Sequence, residues 1–158
     1  MMKAFTTFAL KLFGAAILTV MVMVTCLIFI LVISPFINDA LAKETADELV
    51  DLPLPNDTEY MESVYCAGKL VGCGNGMNYY GAILIKSDLS LEDLREYYSD
   101  YAENEWECVV EDQIGSDIEM IEHEQLSFKT DVEGDAYYIV YTWGSHDNFF
   151  SFFDIRGY

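Results

Sequence analysis

The chain has 158 residues, 53% of them hydrophobic, and its 27 Asp and Glu against 8 Lys and Arg give a formal charge of −19. All 27 acidic residues lie beyond an uncharged run of 27 residues, 12–38, so one apolar anchor stands beside one strongly acidic domain. Charge of that sign repels phosphate backbones, which argues against nucleic acid as a partner, and no motif in the chain specifies a reaction.

Residues 1–11 carry Lys3 and Lys11 and no acid. Residues 13–33 then hold 13 Leu, Ile, Phe or Val, each favouring insertion by roughly 0.3 to 0.6 kcal/mol at a helix centre, or about 4 to 8 kcal/mol in sum. A helix of that length rises about 31 Å, matching a hydrocarbon core of about 30 Å, and Pro35 stands where such a helix is expected to end. The basic flank precedes the run and Asp39, Glu44, Asp47, Glu48 and Asp51 follow it. The positive-inside rule therefore puts residues 1–11 in the cytoplasm, makes 12–34 a transmembrane signal anchor in contact with the lipid bilayer, and puts the remainder outside. The competing expectation is secretion after cleavage following Ala42, because Ala40-Leu41-Ala42 has a small-x-small form. The apolar run, however, exceeds the usual signal-peptide core of about 7 to 15 residues, which favours an uncleaved anchor. Cys26, followed by seven further apolar residues, reads as a small residue within the membrane.

Residues 35–56 read as a tether, with a few helical turns over 39–50 before Pro53 and Pro55 force extended backbone. The acidic domain proper is expected over 57–158. Its first strands fall at 59–67 and 78–86, the second with two alternating faces, and the glycines between them suit a turn better than a phosphate cradle, since no Gly-Lys-Ser/Thr end follows. Ser90 with Asp93 three residues on marks a helix start, and Leu91, Leu94, Tyr97 or Tyr98 and Tyr101 make its apolar stripe. Further strands are expected at 106–111, 122–129, 136–143 and 149–155, with turns at Gly115, Gly134 and Gly144. The fold class is α+β: a transmembrane helix, then a small domain with an antiparallel sheet of five or six strands and one helix on one face.

The last two expected strands are aromatic on both sides, so one face is left to meet solvent, the tether or a partner. Tyr138, Phe150 and Phe152 are the candidate binding residues there, unless the aromatics serve cross-strand packing alone. No catalytic constellation is legible. His123 and His146, the only histidines, fall in an expected strand and turn, and Cys66, Cys73 and Cys108 lack the local signature of a nucleophile. Neither the 131–135 acidic turn nor any Cys-x-x-Cys pair offers a metal site, and no cofactor is implied. The three cysteines outside the membrane leave their pairing open. The expected function is a membrane-tethered extracytoplasmic interaction module with a protein or cell-envelope partner. The alternative is an envelope-associated or secreted hydrolase or metal-dependent enzyme built from scattered acids.

Overall fold

The computed structural model describes residues 2–73, 76–101, 108–122, 125–145 and 148–158, with side chains described from Phe8 and from Leu10 onward. The first helix, α1 (Met2–Asp51), runs for 50 residues. The stretch Leu10–Asp51 contains an apolar window long enough to cross a bilayer, none of it buried. In that window Thr19 and Thr25 each donate a hydroxyl hydrogen bond to the carbonyl four residues earlier, at 3.0 and 2.9 Å, so neither polar group is left unmatched among apolar neighbours.

Pro35 does not end the helix: α1 continues without interruption through residues 35–51, where extended backbone had been expected only from Pro53. A proline inside a helix removes one backbone donor and costs about 3 kcal/mol in a solvated helix interior. Ser34 donates its hydroxyl to the Ile30 carbonyl at 2.7 Å, next to the Leu31 carbonyl that has no amide donor at Pro35. Beyond it the helix is held by packing: Asn38, Ala42, Thr45, Ala46 and Leu49 are all buried, at spacings of three and four residues. The apolar stripe of 39–50 is sparse in sequence because small Ala and Thr residues, not large hydrophobes, make the contact.

The main sheet is four-stranded and antiparallel, in the order β1 (Thr58–Gly68), β2 (Asn78–Ser87), β6 (Tyr137–Gly144) and β3 (Val109–Asp112). The first two match the strands read at 59–67 and 78–86, and β6 matches 136–143. The expected strand at 106–111 is represented by β3, and residues 106 and 107 lie outside the described residues. The strand expected over 122–129 shrinks to β5 (Leu126–Ser127), which pairs with β4 (Asp117–Ile118) in a separate two-stranded sheet. The expected strand over 149–155 is instead two 3₁₀ turns, Phe149–Phe153 and Ile155–Gly157. Asn148 and Asp154 explain that change: the Asn148 side chain accepts from the Phe150 and Ser151 amides, and the Asp154 side chain accepts from the Arg156 amide. Local capping of this kind competes with a sheet ladder.

Alternation along β2 serves two cores. Ile83 and Ile85, with Val110, Tyr138 and Val140, face Leu49 of α1 and Leu94 and Tyr98 of α2 (Leu91–Ser99). Both helices therefore lie on one face, where a single helix had been expected. Ser90 caps α2, accepting from the Asp93 amide at 3.2 Å and donating to the Asp93 carboxylate at 2.6 Å. On the opposite face Tyr80, Ala82, Leu84, Ile139 and Tyr141 are covered by Leu70, Ile118, Ile121, Phe128 and Val132. Among the described residues both faces of the sheet are covered over 79–85 of β2 and 138–142 of β6. Where α1 crosses β2 the approach is backbone on backbone, since a Cβ on Gly81 would stand 2.5 Å from the Ala46 nitrogen.

Candidate functional site

The three candidate binding residues are not brought to one surface. Tyr138 is buried in the helix-covered core, where its hydroxyl donates to the Leu89 carbonyl at 3.0 Å and burial pushes the phenol above its ordinary pKa. Phe150 and Phe152 belong to the first 3₁₀ turn: Phe150 is half-buried edge-to-face against Phe149 at 5.5 Å, and Phe152 is 67% exposed. The aromatic surface is therefore a short capped segment outside the sheet. Phe149 and Phe153 pack at 5.0 Å within it. The β-strand aromatics serve packing instead, with Tyr80, Tyr141 and Trp143 in a row at centroid distances of 5.7 and 5.8 Å.

Sequence reasoning missed a polar cluster that ties this segment to α1. Asn38 donates to the Asp154 carboxylate at 2.9 Å and accepts from the Tyr79 hydroxyl at 2.9 Å. Asn148 reaches both Asn38, at 3.4 Å, and the Tyr79 hydroxyl. Arg156 grips Asp154 with two nitrogens at 3.0 and 2.7 Å, Asp39 at 2.7 Å and the Pro35 carbonyl at 3.2 Å. Asp154 is 1% exposed. Burial alone raises its pKa, but the hydrogen bonds from Arg156 and Asn38 outweigh that effect and hold the carboxyl below the usual range. The same bonds raise the Arg156 guanidinium, so the pair is ionised. Tyr79 is raised, chiefly by burial, and stays a neutral donor. The only local signal in the sequence was Asp154 two residues before Arg156, which does not reveal a partner 116 positions away.

An open depression of about 350 Å³ lies at the other end of the sheet, lined by Asp57, Thr58, Glu59, Lys86, Ser87 and Asp88. Two of its polar side chains are committed to each other: the Thr58 and Ser87 hydroxyls bond at 2.7 Å, and Ser87 reaches the Asp57 carbonyl at 3.3 Å. Cys26, Cys73 and Cys108 are free thiols. Burial raises Cys108, the opposite of what a thiolate nucleophile requires. His123 and His146 lie outside the described residues. Among the described residues no group of three or more His, Cys, Asp or Glu is placed to hold a metal ion.

No family model, curated protein or solved structure matches this chain.

Proposed function

We propose that the chain is a single-pass, membrane-anchored interaction module, with residues 1–11 cytoplasmic, residues 12–34 in the bilayer and the acidic α+β domain outside. One observation carries this reading: the exposed apolar stretch and the helix that packs on one face of the domain's sheet are one uninterrupted element, α1. An anchor of this kind holds the domain at the membrane without a flexible spacer.

The same feature favours retention of the anchor over secretion after Ala42. Cleavage there would remove Pro35, Asn38 and Asp39, the α1 partners of Tyr79, Asp154 and Arg156. It would also expose the surface that Ala42, at 0% exposure, now covers. Loss of the Asn38 hydrogen bond to the buried Asp154 carboxylate alone costs about 1.5 to 3 kcal/mol. An uncleaved chain keeps the cluster whole.

The binding element of the module is the aromatic 148–158 segment, with Phe150 and Phe152 as its candidate contacts and Tyr138 as a core residue of the sheet beside it. Protease added to intact cells tests the topology. The acidic domain should be digested while residues 12–34 are protected, and full protection of the domain would reverse the orientation.

A further inference from the structure

Read from Asp51 backward, α1 meets the domain in successive levels. Leu49 packs with Ile83 and Ile85, residues 45 and 46 press on Gly81, Ala42 lies with Ala67 and Tyr79, and Asn38, Asp39 and Pro35 bond to residues 148–156. At 1.5 Å per residue these levels span roughly 20 Å, and the 148–158 segment occupies the last one before the apolar run begins. It is therefore at the end of the domain from which the exposed apolar helix emerges.

That end differs from the rest of the domain in two respects. Large apolar side chains stand open there: Phe152 and Ile155 are 67% and 82% exposed, Phe149 and Tyr158 are more than half exposed, and Phe36 on α1 is 71% exposed. Charge is also scarce and paired: Asp39 on α1, its side chain 46% exposed, is held by Arg156 at 2.7 Å. Residues 148–158 contain a single acid, Asp154, buried against Arg156. The adjoining 68–73 loop, whose Lys69 amide bonds to the Arg156 carbonyl at 3.0 Å, holds no acid, and its one cation is paired with Glu122 at 2.9 Å. In a chain with 27 acids, that is a surface which anionic charge does not keep away from lipid. The backbone is prepared as well, because Asn148 satisfies the Phe150 and Ser151 amides that a sheet strand would have left to a neighbour.

We propose that residues 148–158, together with Phe36, lie in the headgroup region of the bilayer that α1 enters, so that lipid covers this aromatic surface. The proposal rests on the membrane-anchored reading above and names the partner of the same segment. Aromatic side chains favour the interface because an apolar ring can be buried while a polar edge stays wet, and a ring of them beside a spanning helix fixes depth and tilt. The domain then stands directly on the membrane, with the depression at Asp57 and Asp88 turned away from it.

The full chain in phosphatidylcholine vesicles carrying bromine on the upper acyl chain tests this. Phe152→Trp should lose most of its added emission to the brominated lipid relative to unbrominated vesicles. Ile114→Trp, at the opposite end of the sheet, should lose none, since its neighbour Gln113 bonds to Tyr137 at 2.9 Å. Carbonate extraction of the same vesicles separates the two levels of the account. A chain that washes off refutes the anchor and the proposal with it. A chain that stays while Phe152→Trp is unquenched overturns the interfacial contact alone, and equal quenching at both positions overturns it as non-specific adsorption. If the unquenched chain also self-associates in a manner abolished by Phe152→Asp, a second copy covers the surface and lipid does not.

Discussion

Asp154 shows how one carboxylate is kept ionised inside a domain. Its acceptor positions are filled by Arg156 and Asn38 at 2.7 to 3.2 Å, and the charge is balanced within the same cluster. Asp154→Asn should cost about 1.5 to 3 kcal/mol at neutral pH, the range for hydrogen bonds to charged groups. The pH dependence follows from the lowered pKa. The ionised group stabilises the fold fully above the unfolded value of about 3.9, and that contribution is lost as pH falls through the lower folded value. The gap in thermal midpoint between wild type and Asp154→Asn should thus narrow below about pH 4. A gap that is constant down to pH 2.5 would mean the charge is not what the cluster uses. Glu62 is a second carboxylate that acts at a distance, accepting from the Lys129 and Thr130 amides at 2.8 and 3.0 Å and from the Thr130 hydroxyl at 3.1 Å. Neither role was legible in the sequence, because both join residues more than 60 positions apart.

Among the elements, those with strong local signals were readable: β1, β2 and β6 by alternation, and α2 by the Ser90 cap. Of the helix over 35–51 only a few turns at 39–50 were readable, and neither its continuity through Pro35 nor its packing on the domain was. Its buried face is Asn38, Ala42, Thr45, Ala46 and Leu49, which has little hydrophobic contrast, and its stability comes from close approach to β2. Gly81→Ala should therefore destabilise the domain by at least about 1 to 3 kcal/mol, the cost of overpacking, because the added carbon meets backbone that cannot rotate away. An unchanged denaturant midpoint would show that α1 does not rest on β2. The aromatics at 149–155 were misread as a strand because their periodicity could not reveal the capping by Asn148 and Asp154. The consequence is measurable. Tyr138→Ala should cost about 3 to 5 kcal/mol, as for other large core aromatics, while Phe152→Ala should leave the thermal midpoint nearly unchanged. Equal losses at both positions would place Phe152 in the core.

For the molecule as a whole, the division into an apolar run and an acidic domain was plain from charge alone, and the α+β class followed from the spacing of its elements. The continuity between the two parts was hidden by Pro35, which the sequence presents as a stop and the structure carries within α1. That continuity is what the proposal of a retained anchor rests on, since residues 38–49 of the same helix are packed into the domain. Intact-mass measurement of the chain from carbonate-washed membranes tests it most directly. The account predicts a species that retains the whole of α1 through the Ala40-Leu41-Ala42 site. A soluble, folded chain beginning at Lys43 would contradict it.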